Sequence, residues 1–504
     1  MLSLTLPTAQ APCPAPFNLA AYVLSRAADL PGKVALEILS PAGSERWSYA
    51  QLDRAVRGIA AGLLARGLVP GDRILLRLGN SVEFPLAFLG AVAAGVLPVA
   101  CPAGLSVAEI SRIALQLAPA LIVAAPGLAL PGGAFTVMSA ETLMALTEAP
   151  PAPYLMDDPG RAAYLVYTSG TSGHPRAVVH AHRAIWARRM MVQGWSGLTE
   201  ADRMFHAGAF NWTFTLGTGL FDPWTAGATA LVPDAGAGPG DLPGLLESSN
   251  VTLFAAAPGV YRQMLKSGAR LSLPGLRHGL AAGEKLSEAT RMAWETATGT
   301  PIHEAFGLSE CSTFLSSSPG RPAPQGAVGY AQPGRRIAVL DKNGQPVARD
   351  EVGILAIHRS DPGLFLGYFA APEETAQRFS GDWFRTGDTV RMAADGAIHS
   401  LGREDDMMNA GGFRVSPVEV EAALATCPGA GEIAVTELRR DAEVSFIAAF
   451  HTGPATAEAL AAHAAGCLAR YKQPRQYRRI DQLPVGANGK TDRRALREKW
   501  ETIT

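Results

Sequence analysis

The sequence predicts an α/β protein with a large N-terminal domain of layered αβ sheets, a β-rich subdomain and a small α+β C-terminal domain. Three observations lead to this prediction. Short apolar runs of strand length alternate with helical stretches through the first half of the chain, which is typical of largely parallel sheets. From about residue 328, short strands follow one another with turn residues between them. The last part of the chain then mixes strands and helices.

The first half supplies the alternating elements. The run DRILLRL (72–78) predicts a strand, SVEFPLAFLGAVAAGVL (81–97) predicts an amphipathic helix, and LPVAC (97–101) predicts the next strand. Strands separated by helices of this length are expected to form largely parallel sheets. The series continues with strand-like runs at 120–125, 162–168 and 176–181 and with a helical run at 183–195.

A β-rich subdomain is predicted after these elements. The run RRIAVLDKNGQPV (335–347) predicts a hairpin, because the Asn-Gly pair at its centre suits a tight two-residue turn. The run VGILAIH (352–358) predicts a strand directly after it. Several short strands without intervening helices distinguish this part from the first half.

The C-terminal domain begins where the pattern breaks, near 399–415. We place the domain boundary at 402–405, which divides the chain into domains 1–402 and 403–504. The domain is predicted to contain a helix at 417–425, strands at 432–438 and 445–451, and a helix at 456–469, followed by a basic tail.

Composition limits the possible functions. The chain has 504 residues, so two to four domains are expected, and 48% hydrophobic with 18% charged residues is typical of a globular protein. The formal net charge of -1 gives no reason to expect nucleic acid as a partner. No uninterrupted apolar run reaches the length of about 18 residues that suggests a transmembrane helix, so no membrane span is expected.

Cysteine usage indicates the compartment. The five cysteines are widely scattered, without the CxxC spacing of a zinc site or the even number of a disulfide framework. We therefore expect reduced thiols in a cytoplasmic protein. The first residues contain prolines and lack the basic start of a signal peptide, which agrees with this location. A homodimer is also compatible with the sequence.

The stretch YTSGTSGHPRAVVHAH (167–182) combines glycines with five hydroxyl side chains. Residues 168–173 can turn several backbone N–H groups and hydroxyls toward one anion, because glycine adopts backbone conformations that other residues avoid. The stretch does not match GxxxxGK[ST], and it lies between two strand-like runs rather than before a helix. It is either a phosphate-binding loop of another kind or a polar surface hairpin.

Three further motifs contain residues suited to nucleotide chemistry. In HEAFGLSEC, the carboxylate of Glu310 could bind a hard cation. In WFRTGDTV, Asp388 follows a glycine, where its carboxylate could accept hydrogen bonds from ribose hydroxyls. In PVGANGKTDRRAL, Lys490 lies on a turn near the C-terminus. Taken singly, each of these residues is more simply explained as a solvated side chain in a loop.

Taken in order, the motifs resemble those of the superfamily of acyl- and aryl-CoA synthetases, carrier-protein adenylation domains and luciferases. The set consists of the hydroxyl- and glycine-rich loop, F-G-x-S-E, T-G-D, G-R-x-D-D with a following Gly-Gly turn, and a Gly-Lys pair near the C-terminus. The resemblance covers about residues 50 to 495. Within the superfamily it points to the acetyl-, medium-chain and benzoate-CoA ligase branches.

This resemblance implies an acid–thiol ligase that uses ATP, Mg²⁺ and coenzyme A. Members of the superfamily activate a carboxylate with MgATP, which gives an acyl-adenylate and pyrophosphate, and then transfer the acyl group to a thiol. Glu310 is implied to hold Mg²⁺ and Ser309 to meet the α-phosphate, while Asp388, supported by Arg403, holds the ribose. The residues implied for the phosphates are Thr168, Ser169, Gly170, Thr171, Ser172 and Gly173, and those for adenine are Gly283, Glu284, Lys285, Glu304, Ala305, Phe306 and Gly307.

The resemblance also implies that the C-terminal domain is mobile. Lys490 is the expected catalytic lysine, which stabilises the negative charge that develops when the adenylate forms. For thioester formation the domain swings about a hinge at Asp405. The turn at Gly411 and Gly412 then lines the tunnel for the pantetheine arm, and Arg414 matches a family residue that contacts phosphate.

One position departs from the family pattern. The lysine that usually follows the phosphate loop is Arg176 in this chain. The positive charge is retained, but a point donor is replaced by a planar fork. We expect a modest effect on phosphate handling, because the essential lysine of the family is the C-terminal Lys490, which is present.

The acyl pocket is implied to draw mainly on the run FHAGAFNWTFTLGTG. No acidic residue lies between Asp202 and Asp222, so an amino acid, whose ammonium group needs a carboxylate partner, is not the expected substrate. An apolar pocket suits an aromatic acid or a short- to medium-chain aliphatic acid. The alternative is that these aromatic residues only form core. The expected pocket residues are His206, Phe210, Trp212, Phe214, Val260 and Tyr261.

CoA is the expected acceptor, because no carrier-protein module with its Asp-Ser-Leu attachment signature follows the last motif. A stand-alone adenylation enzyme that loads a separate carrier protein is one alternative. A luciferase-like oxidative ligase is a remote second one, and a non-catalytic sensor of a nucleotide or acyl-adenylate is a third. The presence of Glu310, Asp388 and Lys490 together argues against a sensor, since a binding protein has no need of a catalytic lysine.

Overall fold

The structure of the protein, a computed structural model, has two compact units. The small unit consists of Met1–Leu4, Ile337–Ile357 and Ser380–Thr504, and the large unit consists of Thr5–Arg336 and His358–Phe379. The domain boundary that the sequence places at 402–405 stays a prediction. The residues that the structure describes are 1–5, 10–168, 176–266, 271–410, 413–439, 445–486 and 491–501.

Strands occur throughout both units. In chain order they are β1 Val34–Ser40, β2 Gly43–Ser48, β3 Arg73–Arg77, β4 Leu97–Ala100, β5 Leu121–Ala124, β6 Val137–Ser139, β7 Ala162–Thr168, β8 Arg176–Ala181, β9 Arg203–His206, β10 Thr229–Pro233, β11 Leu253–Ala256, β12 His278–Ala282, β13 Ile302–Leu308, β14 Ser312–Ser316, β15 Tyr330–Ala331, β16 Ile337–Leu340, β17 Val352–His358, β18 Gly367–Tyr368, β19 Phe379–Ser380, β20 Trp383–Met392, β21 Ile398–Arg403, β22 Met408–Ala410, β23 Phe413–Val415, β24 Ile433–Arg439, β25 Ser445–His451 and β26 Gln476–Arg479.

Helices connect most of the parallel strands. In chain order they are α1 Leu19–Val23, α2 Tyr49–Ala65, α3 Glu83–Ala93, α4 Val107–Leu117, α5 Ala140–Ala145, α6 Ala184–Ala187, α7 Arg189–Met191, α8 Asp222–Ala226, α9 Leu242–Ser248, α10 Pro258–Leu265, α11 Glu288–Thr298, α12 Pro372–Gln377, α13 Pro417–Leu424, α14 Ala457–Cys467 and α15 Arg493–Glu501. Within the described ranges, no helix combines the length and apolarity that a membrane crossing requires.

Two sheets form the large unit. The first has the order β18-β8-β7-β4-β3-β5-β6; it is parallel from β7 to β6 and antiparallel where β8 joins β7 and β18. The second has the order β15-β14-β13-β12-β11-β9-β10-β1-β2; it is parallel from β13 to β1 and antiparallel at both ends. Largely parallel sheets with helical connections confirm the predicted α/β class.

The core of the large unit lies around α2 and α3. The sequence predicts an amphipathic helix over 81–97, but every residue from Phe84 to Ala93 is buried, so α3 is covered on all sides. Ile74 of the first sheet and Val232 of the second belong to the same cluster of buried side chains as this helix. Both sheets therefore share one core.

Local sequence signals set several helix ends. Ser48 and Gln51 form a capping box at the start of α2, in which each side chain bonds the other's backbone N–H. Ser106 and Glu109 do the same for α4. Gly299 ends α11 with φ near +74°, a left-handed conformation that glycine adopts at low cost. These ends follow from the sequence without reference to tertiary packing.

The run 183–195, predicted to be helical, is helical but divided in the structure. The short helices α6 and α7 are followed by a π-helical turn at Val192–Ser196. Arg188, between α6 and α7, is buried and directed at Asp222. An added Cβ at Gly194 would lie 2.8 Å from Cδ of Pro333, so the chain packs closely there. Hydrophobic periodicity shows neither the buried charge of Arg188 nor the close packing at Gly194. It therefore does not predict where the helical run is divided.

The small unit contains three groups of strands. β16, β17, β20 and β21 belong to one sheet, and the predicted hairpin is confirmed because Val347 N donates to Val339 O at 2.9 Å. β22 pairs with β23, and β24, β25 and β26 form a third sheet. Buried residues of α13 and α14 pack with β24 and β25. The helices and strands predicted after residue 417 are present within a few residues of their expected bounds.

Arg188 and Asp222 form a buried ion pair that joins several elements of the large unit. Arg188 Nε donates to Asp222 Oδ1 at 2.6 Å, and Nη2 donates to Oδ2 at 2.7 Å. The same guanidinium donates to Thr218 Oγ1 at 3.1 Å and to Ser312 Oγ at 2.5 Å. Burial raises the pKa of Asp222, and the charge of Arg188 acts in the opposite direction. Each charge therefore depends on the other for its compensation.

We predict that Asp222→Ala lowers the free energy of unfolding by about 3–5 kcal/mol, because the guanidinium of Arg188 is left buried without its counter-charge. Urea unfolding, followed by circular dichroism, measures the change. The control is Glu200→Ala, which breaks the more exposed pair of Arg26 and Glu200, 2.6 Å apart, and should cost about 1 kcal/mol or less. Equal losses in the two variants would contradict the importance of the buried pair.

Candidate active site

The predicted phosphate loop is flanked by an antiparallel strand pair. β7 ends at Thr168 and β8 begins at Arg176, and these two residues lie opposite each other in the ladder. Ser169, Gly170, Thr171, Ser172 and Gly173 lie outside the described residues, so their contacts with phosphate stay predictions. The second edge of β8 pairs with β18, and this places residues 365–369 beside the strand that leaves the loop.

The turn at Ser309 and Glu310 connects β13 to β14 and is held by three hydrogen bonds. His180 Nε2 donates to Ser309 O at 2.7 Å, and Phe365 N donates to Glu310 O at 2.7 Å. The hydroxyl of Tyr368 donates to Glu310 Oε1 at 2.6 Å. A residue of β8 thus holds the carbonyl of Ser309. Residues 365–368, which include β18, hold the carbonyl and the carboxylate of Glu310.

Arg176 lies close to this turn but is directed at another carboxylate. Its guanidinium pairs with Glu374 and lies over the ring of Tyr368, with Cζ 5.1 Å from the ring centroid. Burial raises the pKa of Tyr368, and the carboxylate of Glu310 raises it further, so the hydroxyl keeps its proton and remains a donor. The arginine that replaces the usual lysine therefore contacts the residue that orients Glu310.

The donor set at Glu310 fits a magnesium ion that arrives with ATP. Mg²⁺ is usually bound by one or two carboxylates together with substrate phosphates and water, rather than by a cage of protein ligands. Among the described residues there is no cluster of three or more His, Cys, Asp or Glu side chains that could form such a cage. The single carboxylate of Glu310, oriented by the hydroxyl of Tyr368, fits this chemistry.

The residues expected near adenine lie at the ends of two neighbouring parallel strands. β12 leads into Gly283, Glu284 and Lys285, and β13 contains Glu304 to Gly307; Ala281 lies opposite Glu304. The carboxyl ends of parallel strands are a common location for ligands in α/β sheets. Glu284 Oε1 accepts hydrogen bonds from Gly259 N at 2.8 Å and from Arg262 at 3.3 Å, whereas Lys285 is exposed.

Gly283 is restricted to glycine both by its backbone conformation and by the side chain that packs against it. Its φ is +101°, which disfavours any other residue. An added Cβ would also lie 2.6 Å from Cζ2 of Trp212. The indole edge is therefore packed directly on the backbone that follows β12, which joins the expected adenine segment to the expected acyl pocket.

Three of the six expected pocket residues contact one another. The rings of Trp212 and Phe214 are perpendicular, with their centroids 5.1 Å apart. The ring centroids of His206 and Phe214 are 4.4 Å apart. Phe210 instead packs on Phe84 in the core around α3. The hydroxyl of Tyr261 donates to two backbone carbonyls in another core cluster, which Val260 also contacts. The pocket role of all six residues stays a prediction.

His206 and Thr215 are buried polar residues in this region. Neither ring nitrogen of His206, nor Oγ1 of Thr215, has a hydrogen-bond partner among the described residues. An added Cβ at Gly208 would lie 2.3 Å from Thr215 Oγ1 and 2.9 Å from His206 Cε1, so both side chains face the same stretch of backbone. Burial lowers the pKa of His206 to about 3, which keeps the ring neutral. Buried polar atoms usually have a partner, so these three atoms depart from the common pattern.

The remaining predicted site residues belong to the small unit. Arg403 Nη1 donates to Asp388 Oδ2 at 3.1 Å and to Thr386 O at 2.9 Å, which is the support expected for Asp388. The backbone of Asp405 lies in a 3₁₀ turn, Glu404–Asp406, and that of Arg414 lies in β23. Gly411, Gly412 and Lys490 lie outside the described residues, so their roles stay predictions.

The sequence reasoning missed His180 and Tyr368. His180 lies near the end of the stretch 167–182, whose conspicuous residues are glycines and hydroxyl side chains. Its apolar neighbours are typical of an ordinary strand. The available signal was alternation along β8, since Arg176 and His180 are four residues apart and so share one face of the strand. Tyr368 gave no local signal, because its role depends on the pairing of β18 with β8.

The chain is similar to known AMP-binding enzymes over most of its length. The family described as AMP-binding enzyme matches residues 24–369, and the AMP-binding enzyme C-terminal domain matches residues 419–490. Together with the phosphate-loop strands and the oriented Glu310, this defines an adenylate-forming enzyme. The chain belongs to the AMP-binding enzyme family.

Individual relatives are CoA ligases. The chain is 30% identical to benzoate–CoA ligase of Thauera aromatica, over 89% of this chain and 90% of that protein. It is 29% identical to 3-hydroxybenzoate–CoA ligase of Aromatoleum sp. (strain CIB), over 90% of this chain and 92% of that protein. The crystal structure of a benzoate CoA ligase from Burkholderia xenovorans LB400 matches with a TM-score of 0.86 and 29% identity, covering 95% of this chain and all of that one.

An anthranilate CoA ligase, AuaEII, solved with anthranoyl-AMP, gives a TM-score of 0.89 at 26% identity and covers 97% of this chain and 98% of that one. These findings confirm the predicted superfamily, the fold class and the prediction of an AMP-forming acid–CoA ligase that uses ATP and CoA.

Glu304 gives the site a measurable pH signature. The side chain is 5% exposed, and Oε1 accepts a hydrogen bond from Leu286 N at 3.1 Å. Burial raises its pKa from 4.5 to about 7, against the smaller effects of that bond and of Arg291. Between these two values the folded protein holds a proton that the unfolded chain has lost. The contribution of Glu304 to stability therefore falls as the pH rises from about 4.5 to 7.

We predict that Glu304→Gln, which is neutral at every pH, gains stability relative to the wild type as the pH rises. The difference in the free energy of unfolding should increase by at most about 3 kcal/mol between about pH 5 and pH 8. Urea unfolding of both proteins without ligands, at several pH values, measures it. A difference that is independent of pH would contradict a protonated, buried Glu304.

Proposed function

We propose that this AMP-binding enzyme is an aromatic carboxylic acid–CoA ligase. The observation that supports an aromatic substrate is the pair of rings beside the end of β12, where Trp212 packs on Gly283 and Phe214 stands perpendicular to it. Such rings offer flat apolar surfaces to a planar acid. The relatives named for benzoate and 3-hydroxybenzoate agree with this substrate class.

The proposed reaction has two steps. In the first, a carboxylate oxygen bonds to the α-phosphorus of ATP, and the bond from that phosphorus to the leaving pyrophosphate breaks. In the second, the thiol of CoA loses its proton, its sulfur bonds to the acyl carbon, and the bond from that carbon to the AMP oxygen breaks. The products are an aryl-CoA, AMP and pyrophosphate.

The first step brings negatively charged groups together, so the site must supply oriented positive charge and hydrogen-bond donors. We propose Glu310 as the Mg²⁺ ligand; when bound, the ion neutralises charge on the phosphate oxygens. Tyr368 keeps the carboxylate oriented by donating to Oε1. Ser309, next to it, is proposed to donate its hydroxyl to the α-phosphate, and Thr168 to Gly173 are proposed to surround the β- and γ-phosphates.

Arg176 is proposed to act on phosphate mainly through its neighbours. Its guanidinium is already paired with Glu374 and lies over Tyr368. A charge shared with a carboxylate is less available to ATP than a free lysine would be. This arrangement supports the expectation that the exchange of lysine for arginine has a modest effect.

In the small unit, Asp388 is proposed to accept hydrogen bonds from the ribose hydroxyls, with Arg403 holding its carboxylate. Lys490 is proposed as the catalytic lysine of the first step. The hinge at Asp405, the pantetheine turn at Gly411 and Gly412, and phosphate contact by Arg414 are proposals from the family pattern, as are the domains 1–402 and 403–504. A cytoplasmic location and a homodimer stay predictions from the sequence.

The buried pair His206 and Thr215 supports a further restriction on the acid. A site whose polar atoms are buried and unpaired favours a substrate that can hydrogen-bond to them over one that cannot. We therefore propose that the preferred acid has a polar ring substituent, such as a hydroxyl. Unsubstituted benzoate and aliphatic acids of similar size would bind the same apolar surfaces but leave these atoms unpaired.

We predict that Lys490→Ala reduces acyl-adenylate formation by about 10²–10³-fold, the range for loss of one charge-stabilising donor. Thioester formation from supplied acyl-AMP and CoA should remain within a few-fold of the wild type, because Lys490 acts only in the first step. Pyrophosphate exchange and single-turnover thioester assays separate the two steps. The control is Lys499→Ala, which removes a lysine outside the motif. Equal losses in both steps for Lys490→Ala would contradict the assignment.

We predict that the wild-type protein converts 3-hydroxybenzoate with a higher kcat/KM than benzoate, and benzoate with a higher kcat/KM than hexanoate. His206→Phe should reduce the preference for the hydroxylated acid, and Trp212→Ala should raise KM for aromatic acids about tenfold with little change in KM for ATP. Trp186→Ala truncates another half-buried tryptophan and is the control. A wild-type preference for hexanoate would contradict the aromatic substrate.

A further inference from the structure

His180 joins the strand that leaves the phosphate loop to the turn that contains Glu310. It lies on the same face of β8 as Arg176 and is 2% exposed. Its ring is stacked on Tyr164, with centroids 4.9 Å apart and an interplanar angle of 17°. The aromatic neighbour fixes the plane of the imidazole, so its two nitrogens have defined directions.

One nitrogen of His180 holds the turn. Nε2 lies 2.7 Å from Ser309 O, and because a carbonyl oxygen can only accept, Nε2 carries the hydrogen. The next carbonyl, that of Glu310, accepts from Phe365 N at 2.7 Å. The two backbone acceptors of the turn are thus held by separate elements, β8 and the segment before β18.

The turn has particular need of such support. The ladder between β13 and β14 shifts register between Phe306 and Gly307, so regular pairing is interrupted just before the turn. Ser312, just after it, has φ near +58°, an unfavourable conformation for a residue with a side chain. The position of Ser309 and Glu310 therefore depends on contacts from outside the hairpin.

His180 also lines a small cavity. Nδ1 has no hydrogen-bond partner among the described residues. The cavity measures about 20 Å³, and Arg188, Ser309 and Ser312 are among its lining residues. This is room for a single water molecule and not for an aromatic acid. Among the described residues, the hydrogen bond that the His180 ring makes is the one to Ser309 O.

We propose that His180 is a positioning residue for the adenylation step: by donating to Ser309 O, it holds the Ser309–Glu310 turn where the Glu310 carboxylate meets the cation of MgATP. The inference rests on the proposed function of Glu310 as the Mg²⁺ ligand. Its consequence is specific to one step. Loss of the donor should weaken the cation-dependent part of ATP binding and slow adenylate formation, but not thioester formation from acyl-AMP.

The chain contains a matched control in His278. It is also buried, its Nε2 also bonds a serine carbonyl, Ser196 O at 3.0 Å, and burial likewise lowers its pKa to about 4, as it does for His180. His278 lies at the start of β12, away from the end of the strand that leads to Gly283. The same substitution at the two positions removes the same kind of hydrogen bond, and only at His180 does the acceptor belong to the Glu310 turn.

The experiment is an equilibrium titration with ATP, without acid or CoA, in excess Mg²⁺ and in EDTA. His180→Phe keeps a ring to stack on Tyr164 but has no donor, and His180→Leu is a second variant without a donor. His180→Gln retains a donor at a similar distance from the backbone. We expect the two donor-free variants to bind MgATP about threefold to tenfold more weakly, with a smaller change in EDTA. His180→Gln should restore most of the affinity, and His278→Phe should bind like the wild type.

Thermal unfolding of each variant checks that the fold is intact, and single-turnover assays add the split between the two steps. Unchanged MgATP affinity in folded His180→Phe or His180→Leu, or an equal loss in His278→Phe, would overturn the proposal. An equal loss with and without Mg²⁺ would overturn the link to Glu310. If the wild type ligates no acid to CoA, the proposed function fails, but the titration still decides the role of His180.

Discussion

The site depends on the hydrogen bonding of β8 along both of its edges. On one side β8 pairs with β7, which fixes where the chain enters and leaves the predicted phosphate loop. On the other side it pairs with β18, which brings Tyr368 to Glu310. Because side chains alternate along a strand, Arg176 and His180 share the face that reaches the Glu310 turn, one through Tyr368 and one directly. The strand β8, antiparallel to both of its neighbours, thus connects the predicted phosphate loop to the Glu310 turn.

Buried ion pairs and hydrogen bonds hold several segments of the large unit in place. The Arg188–Asp222 pair secures the π-helical segment at Thr215–Phe221 against β14, and the guanidinium lies so close to Gly217 that an added Cβ there would be 2.2 Å from Cζ. Donors and acceptors that are fixed before the substrate arrives need no reorganisation during the reaction, which is how an enzyme stabilises developing charge.

Much of the fold followed from the sequence, because alternating apolar runs, capping residues and an Asn-Gly turn are local signals. The helical run at 183–195 is present, but its division into short segments does not follow from the sequence, since the burial of Arg188 and the close approach at Gly194 depend on residues far away in the chain. Motif order is enough to select Glu310, Asp388 and Arg403 as candidates, and their roles stay proposals. It does not select His180 or Tyr368, whose contacts with the Glu310 turn arise from strand pairing, and it does not distinguish Trp212, which packs on Gly283, from Tyr261, whose hydroxyl bonds backbone carbonyls.

We propose that this enzyme joins an aromatic acid to CoA through an acyl-adenylate. The most direct test uses 3-hydroxybenzoate that is isotopically labelled in both carboxylate oxygens, with MgATP, CoA and the purified protein, and mass spectrometry of the products. Attack of the carboxylate on the α-phosphorus predicts one labelled oxygen in AMP and one in the aryl-CoA. Aryl-CoA formed with unlabelled AMP, or with the label in released phosphate, would contradict an adenylate intermediate.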